Sequence, residues 1–214
     1  MNGHEIAYLD DVGLRLGNTI ILRQAKLSLE PGEKVGLLGP NGSGKTTLLR
    51  IIATLLQPTS GSGAILGAEL GTQDVYAIRN RIVMVGHLPG LWPELTLGEN
   101  TELVARLSGR SPEVATDALA QVGLARASER RADQSSKGML RRAELARALI
   151  LEPTLLLLDE AHAGLDAEAI GMVDTIANRV VAGGGAVMLV SHEPDRLNVH
   201  RSVQLVDGTL EMVS

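Results

Sequence analysis

With 214 residues and a formal net charge of −5, the chain has the size of one large domain or of one domain carrying an inserted subdomain. The negative balance argues against a strongly basic nucleic-acid-binding surface, and the absence of cysteine excludes disulfides and thiolate metal sites and fits a reducing compartment. Apolar residues make up 44% but Phe is absent, and the aromatic residues are Tyr8, Tyr76 and Trp92, so the core must be assembled from Leu, Val, Ile, Ala and Met.

Met1–Glu5 lacks the charged and apolar regions of a secretion signal, and no apolar run approaches the ~18–20 residues of a membrane span. The expectation is a soluble, cytoplasmic protein. In the N-terminal segment Ala25, Leu27 and Leu29 alternate with Lys26, Ser28 and Glu30, which predicts antiparallel strands with one wet face. Pro31-Gly32 is a turn, and Lys34-Val35-Gly36-Leu37-Leu38 reads as a short buried strand.

Directly after it, Gly39-Pro40-Asn41-Gly42-Ser43-Gly44-Lys45-Thr46 fits the phosphate-loop pattern G-x-x-x-x-G-K-[ST] at every specified position. A helix over Thr46–Ile52, which takes in Thr47, completes the strand–loop–helix setting that the pattern requires. The glycines let the backbone fold around a triphosphate with its N–H groups pointing inward, at the positive end of a helix. Lys45 would reach the β- and γ-phosphates, and the Thr46 hydroxyl would ligate Mg²⁺. The plain alternative, a Gly-rich turn with a surface lysine, does not account for the full pattern in this context.

Further along, Ile82–Gly86 is another short apolar strand, and from about Leu88 to Leu151 the periodicity becomes helical, with apolar residues three and four apart in Glu99–Leu107, Pro112–Val122 and Ser136–Leu151. Strand patterns return at Leu155–Asp159 and Ala186–Ser191, joined by a helix over Ala167–Val181 that stops at Gly183-Gly184-Gly185. Val203–Val206 and Leu210–Val213 flank Asp207-Gly208 and predict a hairpin. Strands alternating with helices give an α/β fold with a largely parallel core sheet. The expected division is a core of residues 1–87 and 152–214 with a helical insertion over 88–151.

Four leucines followed by Asp159-Glu160 place two carboxylates at the C-terminal end of a buried strand, where open α/β sheets bind ligands. Asp159 would hold Mg²⁺ through water, and Glu160 would polarise an attacking water. An ordinary acidic strand end is the alternative; the phosphate loop about 110 residues upstream favours catalysis.

Together these residues resemble the ATP-binding subunit of an ABC transporter, over almost the whole chain. Ser135–Met139, followed by Leu140–Leu149, resembles the family signature L-S-G-G-Q and its helix; Ser136 and Gly138 match, whereas Ser135, Lys137 and Met139 depart. Ser136 at a helix N-terminus suits an anion. Ala163-Gly164-Leu165-Asp166 resembles the loop that crosses the dimer interface, and His192 resembles the switch histidine that contacts the γ-phosphate. The family's Q-loop glutamine falls on His87, an imidazole that titrates near neutrality. The aromatic that stacks on adenine falls near Leu16, and the proline after the catalytic glutamate is Ala161. Asp159-Glu160-Ala161-His162 also spells the tetrapeptide of one helicase group; the signature helix and the interface loop argue against that reading.

The resemblance implies a P-loop NTPase fold of ABC type, a mixed sheet with antiparallel N-terminal strands and an inserted helical subdomain, using ATP and Mg²⁺. Catalysis would rest on Glu160, His192 and His87. Gly39 to Thr47, Ser136, Gly138, Asp166 and Leu16 would bind nucleotide, and Thr46 and Asp159 the metal. Two copies, or one copy and a similar subunit, would sandwich two ATPs beneath integral membrane subunits on the cytoplasmic face, with no nucleic-acid partner. Val85–Leu91 with Glu94–Asn100 resembles the ATP-binding subunit of the haem exporter of cytochrome c maturation, in the cell inner membrane. Ser136-Lys137-Gly138-Met139 also occurs in multidrug-type exporters, and a soluble ABC ATPase of translation or DNA repair is the alternative of another class. Trp92 is expected at the surface or partly buried, where the sheet meets the helices, in a groove for a membrane subunit; burial in the core, as the chain's single large indole, is the equal alternative.

Overall fold

The computed structural model describes residues 5–86, 89–160, 167–191 and 197–213. Strands β1 (Ala7–Leu16) and β2 (Thr19–Leu29) form the antiparallel hairpin that the alternation predicts, with Ala25, Leu27 and Leu29 buried and Lys26 exposed. Strand β3 (Lys34–Leu38) leads into the phosphate loop and α1 (Lys45–Ile52) leaves it. A strand absent from the sequence reading follows: β4 (Ser60–Ile65) pairs with the free edge of β1, and the two-residue β5 (Ala68–Glu69) closes a sheet of order β2-β1-β4-β5.

The short helix α2 (Val75–Ile78) precedes β6 (Ile82–Val85). Helices α3 (Leu97–Leu107), α4 (Pro112–Gln121) and α5 (Lys137–Leu151) then occupy the segment with helical periodicity. Each begins on a residue suited to the task. Thr96 and Glu99 form a reciprocal capping box over α3, Pro112 opens α4, and the Ser136 hydroxyl accepts from Met139 N–H to cap α5. The chain re-enters the sheet through β7 (Leu155–Leu158), α6 (Ala167–Ala182) and β8 (Ala186–Val190). It ends in the hairpin β9 (Arg201–Val206) and β10 (Thr209–Val213), whose turn residues Asp207 and Gly208 both take positive φ, 48° and 80°, the backbone that two-residue hairpin turns favour.

The second sheet has the order β10-β9-β3-β8-β7-β6, parallel from β9 through β6 with β10 antiparallel at the edge. Both faces are covered, which is why β7 can be four consecutive buried leucines rather than an alternating strand. Leu155 and Leu157 pack with Val35, Leu37, Leu48 and Ile51 toward α1 and the antiparallel sheet, whereas Leu156 and Leu158 pack with Ala146, Ile150 and Val173 toward the helices.

One buried polar side chain ties the helical layer to the segment that enters it. Asn100 is 3% exposed; its Oδ1 accepts from Trp92 N–H at 2.7 Å, and its Nδ2 donates to the carbonyls of Trp92, Leu95 and Thr96 at 3.0, 3.3 and 2.9 Å. Asn100→Leu would leave the Trp92 N–H without its acceptor, while the three carbonyls keep backbone donors from Leu95, Ala132 and residue 100, and should destabilise the protein by about 2 kcal/mol. Urea denaturation checks this, and an unchanged midpoint would contradict it.

Candidate nucleotide site

The phosphate loop is the strained connection between β3 and α1. Gly39 lies at φ 141°, and a Cβ there would sit 2.4 Å from the Leu205 carbonyl oxygen, so the position accepts no side chain. Gly42 (φ 80°) and Gly44 (φ 104°) take left-handed backbone, which turns the loop back on itself before α1 begins. The first-turn N–H groups of α1 have no acceptor within the helix and add to its positive end. Over this concave backbone the Lys45 ammonium donates to the carbonyls of Gly39 at 2.8 Å and Pro40 at 2.7 Å. Burial holds Lys45 below the ordinary lysine pKa, while the charges of Asp159 and Glu160 act in the opposite direction.

The second half of the site comes from β7. Its last leucine is followed by Asp159, 3% exposed, whose N–H donates to Val85 O at 2.9 Å and whose Oδ2 accepts from Thr46 Oγ1 at 2.7 Å. Thr46 and Asp159, 113 residues apart, thus present a hydroxyl and a carboxylate oxygen side by side, the hard-oxygen donors that suit Mg²⁺. Glu160 follows with its backbone at φ 53°, a left-handed conformation uncommon outside glycine. An open depression of about 230 Å³ joins Asn41, Gly42, Gly44, Lys45, Thr46 and Thr47 to Asp159 and Glu160, with Ile21 and Val190 as its apolar wall. Ile21 was not foreseen, because its place beside Gly44 is a tertiary contact between β2 and the loop.

Ser136 caps α5 as expected, and Gly138 lies in the first turn of that helix. Leu16 is 51% exposed at the end of β1, and Trp92 is 63% exposed. His87, Asp166 and His192 lie outside the described residues. The sequence reading overlooked three further charged residues of α5. Arg141 and Arg147 donate to the carbonyls of Gly86 and Gly90, and Glu144 accepts from the Gly90 N–H. Their spacing of three reads as an exposed ion-pair stripe, whereas Glu144 is 3% exposed. Burial raises its pKa, opposed by the Gly90 N–H and by the two arginines.

A Gly-rich loop at a helix start, facing two carboxylates at the end of the strand one place removed in a parallel sheet, defines a phosphate-loop nucleotide-binding protein. Residues 22–163 match the ABC transporter family. The cytochrome c biogenesis ATP-binding export protein CcmA 2 of Cupriavidus metallidurans is 33% identical over 187 residues, which cover 86% of this chain and 87% of that one. The octopine permease ATP-binding protein P of Rhizobium radiobacter is 33% identical over 205 residues, covering 87% of this chain and 78% of the relative. Among solved structures, a dimeric ATP-binding cassette in a post-hydrolysis state with ADP and phosphate superposes with a TM-score of 0.87 at 28% identity, covering 97% of this chain and 99% of that one. The chain belongs to the ABC transporter family and is its ATP-hydrolysing subunit.

Lys45→Ala should weaken ATP binding at least about tenfold, because a charge-assisted contact of ~1.5–3 kcal/mol to the triphosphate would be lost. Equilibrium titration with ATP measures this, and an unchanged dissociation constant would remove Lys45 from the ground-state contact.

Proposed function

We propose that the chain powers export of haem for cytochrome c biogenesis, docked on the cytoplasmic face of a membrane beneath separate transmembrane subunits. The observation that carries this reading is the near full-length match to an ATP-binding export protein of cytochrome c biogenesis, together with Gly86-His87 where the family more commonly has Pro-Gln. The octopine permease relative at the same identity keeps other cargo in view, multidrug-type export among them. No helix among the described residues is long and apolar enough to cross a membrane, so in this reading the path for cargo belongs to partner subunits and no haem ligands are required here. In a strain lacking the chain, holo-cytochrome c should be lost and return with the wild-type chain but not with Glu160→Gln. Cytochromes maturing normally without it would end the haem reading and leave the ATPase assignment standing.

Within the site, we assign the backbone of Gly39 to Thr47 and the Lys45 ammonium to the phosphates, Thr46 and Asp159 to Mg²⁺, and Glu160 to the attacking water. The metal, when bound, supplies charge neutralisation for the transferring phosphoryl group. The protein's own contribution is orientation: the Asp159 carboxylate is fixed by the Thr46 hydroxyl, and Glu160 sits one residue beyond it. His192 is assigned to the γ-phosphate, His87 to water or metal, Leu16 to aliphatic packing on the base, and Ser136, Gly138 and Asp166 to nucleotide across a dimer. The dimeric, ADP- and phosphate-bound cassette among the structural relatives supports two copies closing on nucleotide. In this reading residues 88–151 form a helical subdomain that passes the closure to the membrane partners, with exposed Trp92 at the join.

Glu160→Gln should retain ATP binding while lowering hydrolysis on the order of 10²–10⁴-fold, the contribution of a positioned base. Turnover close to wild type, read by phosphate release, would take the base role away from Glu160.

A further inference from the structure

Strands β6 and β7 are parallel neighbours whose pairing ends at Val85 and Leu158. Beyond that point lie Gly86 on one strand and Asp159-Glu160 on the other. A carbonyl drawn away from water without a donor is costly, and here the guanidinium of a helix residue supplies one. Arg141, in the second turn of α5, lays its guanidinium across both ends: one terminal nitrogen donates to Gly86 O at 2.8 Å, the other to Asp159 O at 2.9 Å and Glu160 O at 3.3 Å. The side chain is 13% exposed and stands 3.7 Å from Glu144 Oε2.

The two carbonyls of Asp159 and Glu160 bracket the Cα of Glu160, so holding both restricts the φ/ψ pair of that residue and with it the direction in which its carboxylate leaves the backbone. The restriction matters because Glu160 is at φ 53°, a region that a non-glycine residue occupies only when its surroundings enforce it. Asp159 is already fixed from the other side by Val85 O and the Thr46 hydroxyl. On the same face of α5, Glu144 and Arg147 grip Gly90, so the helix holds the chain on both sides of His87.

We propose that Arg141 is a positioning residue for ATP hydrolysis: by bonding the carbonyls on either side of the Glu160 Cα and that of Gly86, it sets the aim of the Glu160 carboxylate from the helix that Ser136 caps. This rests on the assignment of Glu160 to the attacking water. Arg141 touches no nucleotide-binding residue of the phosphate loop among its described partners, so its loss should act on the chemical step and leave nucleotide affinity alone. A planar fork serving three carbonyls has no equivalent in lysine, whose single ammonium can reach one strand end but not span both.

The test uses the full chain with Arg141→Met, which keeps an apolar stem and removes every donor, and Arg141→Lys, each in the wild-type and Glu160→Gln backgrounds. ATP dissociation constants, single-turnover hydrolysis rates and thermal midpoints are measured for all. The expected result is a hydrolysis rate about 10–100-fold lower for Arg141→Met, in line with the penalty for misplacing a reacting group by roughly 1 Å. The ATP dissociation constant should stay within about twofold, and Arg141→Lys should fall between it and wild type. In the Glu160→Gln background the same change should cost about twofold or less, because residues acting through one group are non-additive.

A wild-type rate for Arg141→Met, or a rate loss matched by weaker ATP binding, would overturn the proposal, as would an equal loss in both backgrounds. Should Arg141→Met not fold, Arg141→Lys carries the same comparison, and a wild-type rate there at any temperature below its midpoint overturns it. A Glu160→Gln variant that itself turns over normally removes the base assignment instead, a result read from that variant alone.

Discussion

The arrangement depends on burying β7 on both faces. Leu155 to Leu158 are each 1% exposed or less, and such a strand is stable only when one layer covers each side of the sheet. That demand accounts for the antiparallel sheet and α1 on one side and the helices on the other. It also forces the carboxylate that follows the strand, Asp159, to remain almost inaccessible at 3%. A buried carboxylate needs compensation. The Thr46 hydroxyl and its own backbone bond to β6 fix it in place, and the Lys45 ammonium lies in the same depression. The strand that cannot be exposed therefore dictates where the charges converge.

The helical layer is attached to this arrangement by polar contacts as much as by apolar ones. Glu144 is a buried acid flanked by Ala143 and Leu145, both fully buried, and without partners it would be strongly destabilising. Its partners are the Gly90 N–H and the two arginines three residues to either side. Buried charged groups of this kind contribute more to a defined geometry than to net stability, since an apolar replacement of both partners can be equally stable. Here the geometry they define is the docking of α5 against the ends of β6 and β7.

The sequence carried the phosphate loop, β7 with its carboxylates, the Ser136 start of α5 and the closing hairpin, because each is written in local chemistry: glycines at required φ, a cap, a buried leucine run, an Asp-Gly turn. Helix α3 begins at Leu97, two residues before the Glu99 that apolar periodicity indicates, because the Thr96–Glu99 capping box went unread. β4 was not legible. Ser60-Gly61-Ser62-Gly63 has no strand propensity; those residues are extended because β1 offers an unpaired edge. A Cβ at Gly61 would lie 2.4 Å from Asp11 O and one at Gly63 2.4 Å from Tyr8 O, so the glycines that hide the strand in the sequence are the ones that let it approach its partner. The Arg141, Glu144 and Arg147 contacts were illegible for a related reason. On a helix, charges three apart look the same whether they face water or the backbone of another element, and only the packing of α5 on the sheet distinguishes the two.

Composition supplies a further argument about where partners bind. The core contains no aromatic side chain, although aromatic rings are the most effective residues for burying area. Tyr8, Tyr76 and Trp92 are 37%, 64% and 63% exposed, and Tyr76 is stacked by the Arg79 guanidinium 4.4 Å from its ring centroid. Scattered exposed aliphatic residues need no explanation. A chain that builds its apolar interior without aromatic residues, leaving each of the three at least partly exposed, keeps them where contact with another molecule can use them. Trp92 is held there rather than loosely displayed, since the buried amide of Asn100 bonds both its N–H and its carbonyl. A backbone fixed in this way has less freedom to lose when its exposed side chain meets a partner. The exposed position of Trp92 fits the docking role proposed for it and does not fit burial in the core.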